Sequence, residues 1–371
     1  MRRALFVTLT VAALAIAAFA APGLPRPAGD LPATLADAEF WRLTSALSEP
    51  EGYFDSDNLV SNEDTFQWVI PELTRAVPKG GVYFGVGPDQ NFAYILAVEP
   101  KLAVITDVRR GNLRVHLMYK ALVEQSADRA AFLSKLFSRR RPAGVGADST
   151  LAQLFEAYRT VAPDERLFDE NRRSLLDHLT RTHGFALEPE DGPAITAIYR
   201  EFFRGGPELR FVSSRGSNAY PTYEALQLAT DEAGVNHGYL ASEDHFARLR
   251  ALERANLILP IVGNFGGSKA LRAAGAYVRE HGATVSVFYA SNVERYLFQD
   301  GLWDDFAANV ATLPYTNRSM FIRSCFDSCS APGQSRAVSL LDSVSGLLAD
   351  VRTGRVQSYW DVLNHSRGIP R

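Results

Sequence analysis

The stretch Val82–Arg109, VYFGVGPDQNFAYILAVEPKLAVITDVR, decides the fold. Val82, Tyr83 and Phe84 form a short β-branched and aromatic run, Gly85 and Gly87 open a turn, and residues 91–98 read as a short helix. Leu102 to Ile105 is a second apolar run, ending at Asp107. The order strand, glycine turn, helix, strand is half of a nucleotide-binding fold. Glycines let backbone approach a ligand, a helix N-terminus offers unpaired N–H groups, and an acid about 20 residues on reaches two ribose hydroxyls. Asp107 lies 22 positions after Gly85. The third glycine of G-x-G-x-x-G is missing, since Gln90 and Asn91 occupy its neighbourhood. That argues against a tightly packed pyrophosphate and favours a nucleoside ligand that carries none. A plain βα turn without a ligand has the same local sequence.

C-terminal to this stretch the pattern repeats. Glu208 to Ser214 and His237 to Ala241 read as short strands, Phe246 to Ala255 as a helix, and Leu257 to Val262 as a continuous apolar run of the kind buried on both faces of a parallel sheet. The last run ends in Gly263-Asn264-Phe265-Gly266-Gly267, with Ser268 expected to cap a helix through His281. Thr284 to Ala290 is a further strand, ending in Ser291, Asn292 and Glu294. Apolar runs that end in polar or glycine-rich turns and lead into helices are the grammar of a doubly wound α/β sheet, which binds ligands outside the carboxyl ends of its strands.

Residues 140–207 are more than a βαβ crossover requires and read as a helical insertion, with LAQLFEAYRTV, SLLDHLTRTHGF and AITAIYREFF as its amphipathic segments. His178 and His183, five apart, do not share one face of an α-helix, so no metal pair is expected there. Before the core, Ala36 to Leu47 has helical spacing. The following GYFDSDNLVSNEDTFQWVIPEL interleaves Ser56, Asn58, Ser61, Asn62 and Glu63 with aromatic residues. Such a segment can lie over a ligand cleft, with Asn62 a secondary candidate, although turns and helix caps account for most of these polar residues.

Met1 to Ala20 reads as a secretory signal: Arg2 and Arg3 precede an apolar run, and Ala18-Phe19-Ala20 fits a cleavage site before Ala21. Export to the periplasm or medium is the expected fate. No other stretch is apolar and long enough to span a membrane. Losing Arg2 and Arg3 takes the formal net charge from −3 to −5, which excludes the strongly basic surface that nucleic acid requires. Arg139–Arg141, beside Pro142 and Gly144, fits a solvated loop. The two cysteines, Cys325 and Cys329, lack the spacing of a redox or zinc pair; a local disulfide and two free thiols both remain open. The division expected is a signal at 1–20, an N-terminal segment packing on the core at 21–80, a core at 81–330 and C-terminal helices at 331–371. Those helices, with Leu340, Leu341, Leu347 and Leu348 in the first, pack on the core or serve a second copy in a homo-oligomer.

Together, VYFGVGPDQNF, ITDVRRGNLRVHLMYKAL, YPTYEAL, YLASEDHF, LPIVGNFGGSKALRAAGAYVREHGATVSVFYASNVERYLF and VQSYWDVL resemble an uncharacterised bacterial family, over about Phe40 to Ser366. Its fold is similar to that of class I S-adenosylmethionine-dependent methyltransferases. The resemblance implies a Rossmann-like, mostly parallel α/β sheet. It places Gly85 and Gly87 along the methionine part of the cofactor, Asp107 on the ribose, Glu243 or Asp244 at the adenine, and Asn264 among active-site groups after the fourth strand. Two departures stand out. Tyr83 occupies a position where many methyltransferases carry an acid, and Asn264-Phe265-Gly266-Gly267 is not the Asn-Pro-Pro-aromatic signature of amino-group methylation. Tyr289 and Glu294 are the acid/base candidates, while Asn292 reads as a cap. No G-x-S-x-G elbow, H-E-x-x-H or Walker lysine loop offers another chemistry. Because S-adenosylmethionine is made in the cytoplasm, an exported enzyme has no evident supply. A non-catalytic exported protein that uses the cleft for another small ligand is therefore the alternative.

Overall fold

The computed structural model describes residues 30–212, 220–326, 329 and 337–367, so the expected signal at 1–20 lies outside the described residues. The fold is mixed α/β, with one six-stranded, mostly parallel sheet and 15 α-helices among those residues. The strands are β1 (Val82–Gly85), β2 (Leu102–Asp107), β3 (Ile258–Val262), β4 (Val285–Ser291), β5 (Tyr315–Phe326) and β6 (Ala337–Ser343), arranged β3-β2-β1-β4-β5-β6. β1 to β5 are parallel and β6 runs antiparallel on β5.

The central strands follow from burial. Every residue of β1, β2 and β3 is buried, which is why they read as continuous apolar runs rather than alternating ones. Val82 pairs with Leu102, and Gly85 with Ile105, so both strands deliver their carboxyl ends to one edge. Between them runs the helix Asn91–Val98, buried at all but one position. From β2 the chain moves outward to β3, then returns across β1 to begin β4. The winding reverses between β1 and β4, and such a reversal opens a crevice at the carboxyl ends of the strands.

The elements between β2 and β3 are helical, including Leu151–Arg159, Glu165–Asp177 and Asp191–Gly205 inside the expected insertion. The N-terminal helix Asp37–Leu47 lies along β3: Leu35 N–H donates to the Ala255 carbonyl at 3.0 Å and Glu49 N–H to that of Val262 at 3.0 Å. Among the described residues, no helix is long and apolar enough to cross a membrane.

Several expectations are corrected. His237 to Ala241 is a turn, because Ser242 already caps the helix Glu243–Arg254 through His245 N–H, and His245 Nδ1 binds the Gly238 carbonyl at 2.9 Å. Around Glu208 to Ser214 only a single bridge forms, Arg210 to Thr222, and the segment's end lies outside the described residues. The helix after β3 is Ala270–Glu280, with Lys269 rather than Ser268 at its cap position. Leu340 and Leu341 belong to β6, and helix begins only at Val344. The open question of the cysteines is settled by a Cys325–Cys329 disulfide at the end of β5, packed with Val338, Leu340 and Leu363 in a small cluster beside the main core.

Candidate functional site

At the carboxyl ends of the parallel strands lies a small, open-mouthed cleft, in the crevice where such sheets bind ligands. The loop after β1 contributes Gly87, Pro88 and Gln90, the end of β2 contributes Thr106, Asp107 and Arg109, and the turn after β3 contributes Gly263 and Asn264. β4 adds Tyr289 and Ser291, and the segment before the core closes the cleft with Tyr53, Phe54 and Ser61 to Glu63.

Gly87 has φ +78°, and a Cβ there would meet nothing within 4 Å. Its glycine identity is a backbone requirement that leaves the main chain open to the cleft. Gly85 has a different reason. A Cβ would sit 2.1 Å from Asn91 Oδ1 and 2.7 Å from Tyr83 Cε1, so Gly85 permits β1 to pack on the following helix and does not line the cleft. Asn91 in turn accepts from Tyr83 Oη at 2.8 Å and donates to the Val86, Gly87 and Pro88 carbonyls, fixing the loop.

Two buried titratable groups pin the same loop with opposite pH dependence. His116 Nε2 meets the Gly87 carbonyl at 2.9 Å, and burial lowers its pKa to about 4. Asp89 accepts from Gln227 Nε2 at 2.8 Å and Tyr239 Oη at 2.9 Å; burial outweighs these bonds and raises its pKa to about 6. As pH falls below 6.5, unfolded His116 takes up a proton before folded His116 does, so its contribution to stability drains away toward pH 4. Asp89 behaves oppositely: its folded form takes the proton first, so the cost of burying its charge is relieved below pH 6. Asp89→Asn removes only the second effect. Between pH 7 and 4.5 the variant is therefore expected to lose about 2 kcal/mol more stability than wild type. Urea unfolding at the two pH values measures the difference, and equal losses would refute the assignment.

Asp107 is buried at the end of β2. Its Oδ1 accepts from Arg109 N–H at 2.9 Å and Nε at 3.1 Å, and its Oδ2 from an Arg109 terminal nitrogen at 3.0 Å. Arg109 also donates to the Ser56 carbonyl at 2.6 Å and the Asp57 carbonyl, tying β2 to the closing segment. Oδ1 thus has both lone pairs engaged, while Oδ2 keeps one free. Beside it, Thr106 Oγ1 is buried without a hydrogen-bond partner among the described residues.

Glu63, which the sequence presents only as one of the polar residues of the segment before the core, stands at the centre of the cleft's polar network. It is 1% exposed. Oε1 accepts from Tyr289 Oη at 2.9 Å and from Ser291 Oγ, while Oε2 accepts from Gln90 Nε2 at 2.9 Å. Ser61 Oγ bonds Gln90 Oε1, completing a network of neutral donors around a buried carboxyl. No basic side chain pairs with Glu63 among the described residues.

Other expected site residues are placed elsewhere. Asn264 lines the cleft but follows the third strand, not the fourth, and its Oδ1 accepts from Gly266 N–H at 2.9 Å. Ser291 ends β4 and Asn292 follows it. Glu243 pairs with Arg129 Nε at 2.8 Å and Asp244 is exposed in the first turn of its helix; neither lines the cleft, because the strand expected before them does not form. Glu294 is wholly buried against Arg323, at 2.6 Å, and does not line the cleft. Tyr289 lines it, but burial, reinforced by the nearby Glu63 carboxyl, pushes its hydroxyl well above the ordinary tyrosine range, so it keeps its proton.

Residues 58–337 match a family described as Domain of unknown function (DUF7790). The chain belongs to this family. The match takes in β1 to β5 and the polar groups Ser61, Glu63, Gln90, Asp107 and Tyr289. No curated protein matches the chain.

Proposed function

We propose that the cleft binds S-adenosylmethionine and that the protein is a Rossmann-like, methyltransferase-like transferase acting on a small molecule. The observation that carries this reading is the meeting of Gly87, after β1, with Asp107, at the end of β2, in one cleft beside the strand-order reversal. The residues suit the ligand. An open glycine faces the cleft, a carboxylate with one spare lone pair, on Oδ2, stands where ribose hydroxyls would lie, and the orphaned Thr106 hydroxyl is available as a further polar contact. When bound, S-adenosylmethionine supplies an electrophilic methyl group on its sulfonium. The chain's own task is to hold the acceptor in line with that group and remove a proton where the acceptor carries one. Glu63 takes this acid/base role in place of Glu294, and the Tyr289, Ser291 and Gln90 donors orient its carboxyl. Its lack of a cationic partner favours a neutral amine acceptor: as the C–N bond forms and the S–C bond breaks, the nitrogen becomes cationic, and Glu63 balances that charge and takes the proton.

A second reading rests on the Asp107–Arg109 ion pair, which already engages both carboxylate oxygens. In that reading the cleft serves a non-catalytic exported binding protein that takes another small polar ligand. Export after removal of residues 1–20, the absence of a nucleic-acid partner expected from a net charge of −5, and assembly with a second copy through the C-terminal helices belong to the proposal in either form.

Calorimetric titration of protein starting at Ala21 with S-adenosylmethionine and S-adenosylhomocysteine tests the choice. Micromolar binding, about −8 kcal/mol, is expected. No heat at millimolar ligand would leave the second reading.

A further inference from the structure

We propose that Glu124, His178 and His183 form a binding site for one divalent metal ion of zinc-like character, separate from the cleft. In an α-helix, residues five apart point about 140° away from each other. Here the helix Glu165–Asp177 runs on into a π-helical turn, His178–Thr182, in which His183 N–H donates to the His178 carbonyl at 3.0 Å. The wider turn puts both imidazoles on one side, which corrects the expectation that this pair stays apart; single π-turns are concentrated at functional sites.

Both Nε2 atoms converge on one oxygen. His178 Nε2 and His183 Nε2 each lie 2.7 Å from Glu124 Oε2, and the three atoms fall within 4.8 Å of one another. The other nitrogen of His183, Nδ1, lies 2.7 Å from Asp37 Oδ1. A neutral imidazole has one N–H. With one N–H directed at Asp37, the close approach of His183 Nε2 to the Glu124 carboxylate calls for a cation between them, either a second proton or a metal ion. The pattern of a ligating histidine held from behind by a carboxylate is the usual support of a zinc site. Lys120 Nζ, 2.6 Å from Glu124 Oε1, leaves Oε2 as the single coordinating oxygen. Two histidines and one glutamate are a zinc ligand set with a fourth position open to water, and His178 keeps partial access to solvent. The ligands come from the end of the helix Arg110–Glu124 and from the insertion, with support from the N-terminal helix, so the ion would clip three segments together.

The competing occupant is a proton. The full-length, tag-free chain is stripped with chelator, equilibrated with zinc chloride against a chromophoric competitor, and then examined by elemental analysis and thermal melting. One zinc per chain is expected, with a raised melting temperature. His178→Ala, checked for native circular dichroism, should weaken zinc binding roughly a hundredfold or more, and His281→Ala should leave it unchanged. Cobalt in place of zinc should give the intense visible bands of a four-coordinate site. Failure of stripped wild type to bind zinc would overturn the proposal and leave a protonated bridge. So would binding that His178→Ala leaves intact.

Discussion

Arg323→Met is expected to destabilise the protein by about 3–5 kcal/mol, the cost of leaving buried charge uncompensated. Arg323 sits in β5 with no exposed surface, its Nε 2.6 Å from Glu294 Oε2 and a terminal nitrogen 2.5 Å from Asp342 Oδ2 in β6. The guanidinium also lies 4.4 Å from the Phe321 ring. Removing it strands Glu294, already pushed up by burial, and leaves Asp342 only His365, whose Nδ1 lies 2.5 Å from Oδ1. Neutralising all three, as Arg323→Met with Glu294→Gln and Asp342→Asn, should recover at least half of the loss, because the interior then holds dipoles rather than unpaired charges. Urea unfolding followed by circular dichroism reads both. A single variant as stable as wild type would show that the triad does not hold the β5–β6 edge together.

The same triad explains why that edge is hidden in the sequence. The run Tyr315–Phe326 contains Asn317, Arg318, Ser319 and Arg323, and nothing local indicates that an arginine at its centre is buried. Its partners lie 29 and 19 residues away. Leu340, Leu341, Leu347 and Leu348 imitate a helical repeat seven apart, yet the first two pair with Arg323 and Ile322 across an antiparallel ladder. By contrast, β1, the helix Asn91–Val98 and β2 are legible because each is decided by its own composition: short, almost wholly buried runs, with a glycine turn after the first.

The candidate site divides along the same line. Gly87 and Asp107 are local consequences of one βα unit and could be read from spacing. Glu63 could not, since its partner Tyr289 is 226 residues away; the available signal was an acid inside the aromatic, polar segment before the core. Glu294 reads as an acid/base candidate because it follows a strand end, a place where either a ligand-facing or an inward-facing carboxyl can stand. The approach of the two histidines is hidden for another reason: the period of the helix itself changes at His178, and periodicity arguments assume that it does not.

Asp107→Ala is expected to weaken S-adenosylhomocysteine binding by about ten- to a hundredfold, because the one hydrogen bond that Oδ2 can still accept, being to a charged acceptor, contributes about 1.5–3 kcal/mol. The loss should depend on the ribose. Adenosine should show it as fully as S-adenosylhomocysteine, whereas analogues lacking both ribose hydroxyls should bind wild type and variant alike. Arg109 supplies the control, since it bonds Asp107 and the closing segment together. If Asp107→Ala acted only by releasing that segment, Arg109→Ala would reproduce the whole loss, and the deoxy analogues would lose affinity as well. A loss confined to ligands with intact ribose, larger in Asp107→Ala than in Arg109→Ala, assigns the carboxylate a direct contact. An equal loss for every analogue would instead make Asp107 a structural tether, and the nucleoside reading of the cleft would fall with it.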